Sequence, residues 1–191
     1  MIENIKTFGN IYFINYKLDS LIIKNKDDID KFYELISNKI KINNIELLYR
    51  ASKDGLEFKN LINKINNKSH LVFLFCTDNK RIFGTFIKSK LDNIVHHKYF
   101  KDENVFEFSL NNNKIYKILI PEKAIRFYYD SNIIGIGNSG VWNGFFFDSN
   151  KTKICNKKLL NDPKIYDFQK NNELCEGFGN FTELEIFEIN I

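Results

Sequence analysis

An unbroken apolar run near the middle of the chain, LVFLFC at 71–76, restricts the folds that this sequence can adopt. Apolar residues at consecutive positions of a strand predict that both of its faces are covered. The segment RIFGTFI follows after the polar residues 78–80, Asp-Asn-Lys, which indicates a β-hairpin. We therefore expect a central strand that packs between another sheet and a helix.

Other segments repeat this β-like pattern. VFEFSL and IYKILI, at 105–110 and 115–120, predict a second hairpin, in which Phe106 and Phe108 alternate with Glu107 and Ser109. Further β-like runs are AIRFYY, VWNGFFFD and FTELEIFEI, at 124–129, 141–148 and 181–189. Strands joined by short polar turns favour an antiparallel arrangement over βαβ units. The predicted class is mainly β (α+β), an antiparallel two-sheet β-sandwich with a few flanking helices.

Helical patterns are confined to the first third of the chain. Residues 27–38 place apolar side chains at helical spacing behind two aspartates, which favour a helix N-terminus. A strand at 45–51, a turn at 52–55 and a helix from 56 to 65 follow. Asp54 and Glu57 resemble a capping box for that helix.

Composition excludes several classes of protein. The 191 residues fit one domain. The net charge of +4 comes from an excess of lysine, and arginine, which is favoured for phosphate recognition, occurs only at 50, 81 and 126. Nucleic-acid binding is therefore not indicated. Three cysteines without CxxC spacing predict neither a disulfide framework nor a zinc site, and they favour a reducing compartment. The chain contains no run of about 18 apolar residues, so we expect a soluble intracellular protein.

Two motifs are compatible with either a functional or a structural interpretation. Gly135, Gly137 and Gly140 match GxGxxG, but the segment that follows is a poor helix, so a loop is predicted rather than a dinucleotide site. Glu183 and Glu185 share one face of a strand, where they form either a paired-carboxylate site or a solvated surface. His96 and His97 are expected in an exposed loop.

Several blocks together resemble a known family. LLYRASKDG at 47–55 with Phe58, IFG at 82–84, FEFSL at 106–110 and ELEIF at 183–187 occur in the order found in the TLDc domain family. The resemblance covers about residues 20–189, and we place the domain at 20–191 after an N-terminal segment, 1–19. The chain departs from the family pattern at Thr85, which replaces a glycine, and at Val141-Trp142.

The resemblance implies a β-sandwich that acts as a non-enzymatic interaction module. It further implies protein partners, among them subunits of the vacuolar proton-pumping ATPase, a link to oxidative-stress resistance, and a cytoplasmic location that includes the surface of acidic organelles. No catalytic residue, metal or cofactor is expected. The residues assigned to the structural motif are Arg50, Ser52, Asp54, Gly55, Phe83 and Gly84, and those assigned to partner binding are Gly135, Gly137, Gly140, Glu183 and Glu185.

Two alternatives remain open at this stage. One is an acid/base hydrolase in which Glu183 and Glu185 face a cleft. The other is a redox sensor in which Cys175 reacts as an exposed thiol. The motif residues also carry a structural hypothesis, in which Asp54 caps the following helix and Arg50 pairs with a carboxylate.

Overall fold

The computed structural model describes residues 18–95, 98–128, 133–136 and 179–191, together with Leu174 and four two-residue strands. In chain order the strands are β1 (Thr7–Phe8), β2 (Ile11–Tyr12), β3 (Asn44–Arg50), β4 (Leu71–Thr77), β5 (Ile82–Ile87), β6 (Tyr99–Phe100), β7 (Phe106–Ser109), β8 (Lys114–Lys117), β9 (Ile125–Tyr128), β10 (Ile133–Ile136), β11 (Phe145–Phe146), β12 (Lys153–Ile154) and β13 (Gly179–Asn190). The helices are α1 (Lys26–Ser37), α2 (Ala51–Asp54) and α3 (Phe58–Ile65), with a 3-10 turn at Pro121–Lys123.

Every strand pair in these residues is antiparallel, which confirms the predicted mainly β class. The main sheet has the order β3–β13–β4–β5–β7–β8. A second group, β6–β9–β10–β11–β12, joins it where β12 pairs with the beginning of β13. The last long strand, β13, therefore lies inside the main sheet, between the outer strand β3 and β4; the other outer strand is β8.

Strand β4 is covered on both faces, as the apolar run predicts. Phe73 and Phe75 belong to a core cluster that includes Phe127 of β9, whereas Leu74 belongs to a second cluster that includes Phe32 of α1. These β4 side chains are completely buried. The strand thus lies between a second β layer and a helix, and burial of each large apolar side chain stabilises the fold by roughly 1.5–3 kcal/mol.

Helix α1 confirms the helical prediction at 27–38 with a shift of one residue. Its cap is Asn25, whose Oδ1 accepts a hydrogen bond of 2.8 Å from the Asp28 backbone N–H. Asp27 and Asp28 occupy the first turn, where a negative charge is favourable to the helix dipole. Buried Phe32 contacts Phe108 edge-on at 6.0 Å, which seats the helix on the main sheet.

The pair Phe83 and Gly84 has a packing role in β5. Phe83 is completely buried and stacks on Phe75 with ring centroids 5.4 Å apart. A Cβ added at Gly84 would overlap the Phe108 ring and the Phe73 carbonyl oxygen. Glycine is therefore required here because three adjacent strands approach too closely for a side chain.

Strand β7 contradicts the simple alternation expected from its sequence. All four of its residues are buried, including Glu107, which pairs in register with Thr85 on one side and Tyr116 on the other. The Glu107 Oε2 has no hydrogen-bond partner among the described residues. Burial raises the pKa of this carboxyl well above its ordinary value of 4.5. The second β layer covers the face that the sequence pattern alone would leave in solvent.

Candidate functional site

The first and last blocks of the sequence motif meet at one corner of the main sheet. Strand β3 ends at Arg50, which pairs in register with Glu185 of β13, and α2 begins at the next residue. We refer to Arg50, Ser52, Asp54, Glu183 and Glu185 as the motif corner. More than 130 positions separate Arg50 from Glu185, so only the folded chain brings these groups together.

Glu185 is completely buried and is held by three donors. Its Oε1 accepts from Arg50 Nε at 2.7 Å and from the Leu21 backbone N–H at 2.8 Å, and its Oε2 accepts from Ser20 Oγ at 2.6 Å. A buried charge is tolerated only when it is paired and hydrogen-bonded, and this carboxylate meets both conditions. Its oxygens are engaged in holding three segments of the chain together.

The hydrogen bonds that Ser20 accepts determine where its hydroxyl hydrogen points. Its Oγ accepts from the backbone N–H groups of Ile22 and Ile23, at 3.0 and 2.8 Å. Both lone pairs of the hydroxyl are then occupied, so its hydrogen is directed at Glu185. The segment before α1 is thereby bound to the far end of the chain.

Arg50 links Glu185 to Asp19. Its Nη2 lies 2.9 Å from Asp19 Oδ1 and 2.8 Å from the Asp19 carbonyl oxygen. Burial lowers the pKa of the guanidinium, but the hydrogen bonds to Asp19 and Glu185 outweigh this effect, so the pKa is raised. These contacts confirm the hypothesis that Arg50 pairs with a carboxylate.

Asp54 does not cap the following helix, so that prediction is wrong. Residues 51–54 form the short helix α2, and Glu57 precedes α3 without a side-chain capping bond. Asp54 Oδ2 instead accepts from the Arg50 backbone N–H at 2.8 Å, and Oδ1 lies 3.6 Å from Lys64 Nζ. The carboxylate thus ties α2 back to the end of β3.

Gly55 and Tyr49 complete the turn after α2. Gly55 has a φ of +84°, which favours glycine, and its carbonyl oxygen accepts from the Tyr49 hydroxyl at 2.6 Å. Burial raises the pKa of Tyr49, and the negative charges of Asp54 and Glu183 raise it further. The tyrosine therefore remains a neutral donor.

Glu183 is half-buried, and it also accepts internal hydrogen bonds. Its Oε1 lies 3.1 Å from the backbone nitrogens of Ser52 and Leu184. The two glutamates face the same side of β13, as predicted, but their oxygens bind donors within the chain. Neither residue lines the cavities found in the described part of the protein.

The expected partner surface requires two corrections. Glu185 is 0% exposed, so a partner cannot reach it, and β13 is hydrogen-bonded to β3 on one side and to β4 on the other. Gly135 lies in β10, opposite Arg126 of β9, and not in a loop. Gly137 and Gly140 lie outside the described residues, as do His96, His97 and Cys175.

The structure bears on the hydrolase alternative but not on the redox-sensor alternative. A hydrolase would need Glu183 and Glu185 free to exchange protons with a substrate, whereas Glu185 accepts from three donors in the core. A reactive Cys175 stays a prediction.

Among the described residues, no group of three or more metal-ligating side chains is close enough to hold a metal ion, and no helix is long and apolar enough to cross a membrane.

Sequence reasoning missed Asp19 and Ser20, which the predicted boundaries assign partly to the N-terminal segment. Serine is a common turn residue, but nothing local indicates that the Ser20 hydroxyl binds a carboxylate 165 positions away.

Two comparisons with known proteins bear on this geometry. The family model described as the TLDc domain matches residues 18–190, which includes both halves of the motif corner and the Asp19–Ser20 segment. A search of curated proteins finds no match to the chain.

Proposed function

Because the chain belongs to the TLDc domain family, we propose that it is a non-enzymatic protein-interaction module. In this proposal it binds the vacuolar proton-pumping ATPase and regulates it from the cytoplasm, at the surface of acidic organelles. Its link to oxidative-stress resistance would follow from that regulation. The family assignment supports these finer statements, since the same resemblance implies the ATPase as a partner.

The proposal that the chain is not an enzyme rests on the carboxylates of Glu183 and Glu185, which accept hydrogen bonds from groups inside the protein. Glu185 is buried against Arg50, Ser20 and Leu21, and Glu183 accepts from the backbone of Ser52. A catalytic acid or base must reach a substrate proton, directly or through one water molecule. The most specific sequence motif of the chain therefore builds the fold, and recognition is left to surfaces elsewhere.

Regulation of an ATPase requires more than attachment to it. A protein shifts an equilibrium between assembled and separated forms only if it binds the two forms with different affinities. We propose that this chain binds one of the two forms more tightly. Gly135, Gly137 and Gly140 remain the proposed contact region; Gly135 lies in β10, and Gly137 and Gly140 follow it in the sequence.

Affinity purification tests the proposed partner. The tagged, purified protein is incubated with a lysate from its own source, and the retained proteins are identified by mass spectrometry. We expect ATPase subunits to be enriched over a Phe73→Asp variant, which places a charge in the completely buried core and should not fold. Equal recovery of these subunits with both proteins, or no recovery, would overturn the proposed partner.

A further inference from the structure

Two adjoining cavities form a groove on the side of the main sheet that α1 covers. The smaller has a volume of about 220 Å³ and lies between the end of α1 and strands β7 and β8. The larger, of about 540 Å³, extends over the loops that follow β5 and β6. Glu103 and Asn104 line both, so the two cavities are neighbours, and the larger is the more open of the two. We call this the lysine groove.

The smaller cavity combines an apolar floor with a basic rim. Phe86, Val105 and Phe106 are buried side chains that line it, and Lys39 and Lys117 stand at its edge with exposed side chains. Such a cavity can accommodate one medium-sized apolar side chain, and the lysines would lie beside the residues that flank it in a partner.

The larger cavity adds three more lysines. Lys88 and Lys90 are exposed, and neither forms an ion pair with a carboxylate in the described part of the chain. Lys101 is paired with Glu103 at 2.9 Å and with Glu122 at 3.6 Å, and ion pairs this exposed are weak in water. The groove therefore holds five ammonium groups.

The acidic residues of the groove do not cancel this charge. Asp102 is 2% exposed, and it accepts from the backbone N–H groups of Lys88, Ser89 and Asn104, at 2.7, 2.9 and 2.8 Å. Glu103 is engaged with Lys101. Lys39, Lys88 and Lys90 form no ion pair with a carboxylate among the described residues, so three positive charges of the groove are not neutralised.

The same hydrogen bonds make the groove a preformed surface. Asp102 joins the loop after β5 to the loop after β6, and Ser89 Oγ donates to the Lys101 carbonyl oxygen at 2.8 Å. A surface that is ordered before binding loses less conformational entropy when a ligand arrives.

We propose that the lysine groove binds an acidic segment of a partner protein, with one apolar side chain seated in the smaller cavity and carboxylates beside the lysines. This rests on the proposed role as an interaction module, but not on the identity of the partner. Charge complementarity and the apolar floor favour such a segment. A nucleic acid would be expected to use arginine forks and exposed aromatic rings, whereas the cations here are lysines and the phenylalanines are buried.

Fluorescence anisotropy with a defined probe tests the proposal. The probe is a fluorescein-labelled peptide of alternating Glu and Asp with one central Leu, titrated with the purified chain at low and at physiological salt. Lys88→Glu with Lys90→Glu should weaken binding by about tenfold or more at low salt, with a smaller loss at high salt. Replacing the central Leu by Ala should weaken it by about tenfold, since a few buried methylenes are lost.

The matched control is Lys53→Glu with Lys59→Glu. These lysines are exposed, lie outside both cavities, and change the net charge by the same amount. Equal loss of affinity in both double variants would overturn the groove as a specific site. Tighter binding of single-stranded DNA or phosphatidylserine vesicles than of the peptide would overturn the choice of an acidic protein segment.

The two proposals fail separately. Groove-dependent peptide binding without ATPase recovery would leave the groove in place and overturn only the named partner. Peptide binding that is unchanged by Lys88→Glu with Lys90→Glu, together with ATPase recovery, would overturn the groove and leave the partner in place.

Discussion

Replacing Glu185 by Gln tests whether the motif corner holds the fold together. The substitution preserves the size of the side chain and leaves one oxygen that can accept from Arg50 and Leu21. The new amide NH₂ then faces Ser20 Oγ, whose two lone pairs are already used by Ile22 and Ile23. A donor therefore meets a donor inside the protein, and the guanidinium loses its buried counter-charge.

The expected cost follows from burial. Glu185 is 0% and the Arg50 side chain 11% exposed, so the pair behaves as a buried ion pair. Removing one partner of such a pair costs about 3–5 kcal/mol, and the remaining amide oxygen places this variant near the lower limit, at about 3 kcal/mol. For a domain of this size that corresponds to a melting temperature lower by roughly 6–12 °C.

Urea unfolding followed by circular dichroism measures the free energy, and Glu183→Gln is the control. Glu183 lies two residues earlier on the same face, but among the described residues it accepts only from backbone N–H groups, which an amide oxygen also accepts. We expect that variant to lose less than about 1 kcal/mol. Equal stabilities for Glu185→Gln and the parent chain, or equal losses for the two variants, would refute the structural role of the corner.

Two further predictions concern the core. Gly84→Ala should destabilise the fold by about 3 kcal/mol in the same unfolding assay, because the methyl group overlaps Phe108 and the Phe73 carbonyl; an unchanged free energy would contradict this packing. Glu107→Gln should stabilise the protein increasingly as pH rises. The raised pKa means that the folded state keeps a proton that the unfolded state loses, so parental stability falls by about 1.4 kcal/mol per pH unit between 4.5 and the folded pKa. A difference between parent and variant that is constant with pH would exclude this linkage.

Much of the main sheet could be predicted because its signals are local. The apolar run of β4 required cover on both faces, and the polar turn at 78–80 indicated the first hairpin. The two β-like runs at 105–110 and 115–120 indicated the second. Helix α1 followed from apolar spacing and a polar N-terminus. In each case the pattern of neighbouring residues decides the element, so the sequence window contains the needed information.

Features that depend on distant segments were missed or misjudged. The alternation around Glu107 suggested an exposed side chain, but the layer containing β9 buries it. Asp54 resembled a helix cap, but its carboxylate accepts a hydrogen bond from the backbone N–H of Arg50 instead. The acidic pair in β13 suggested a solvated face because the sequence does not show that the segment containing Ser20 and Leu21 covers Glu185.

Binding of the purified chain to the purified vacuolar proton-pumping ATPase, measured separately for the assembled and the separated enzyme, tests the proposed function most directly. We predict saturable binding to at least one form of the enzyme, and a lower Kd for one form than for the other. Undetectable binding to either form would contradict the proposed partner, and equal Kd values for the two would contradict regulation of assembly.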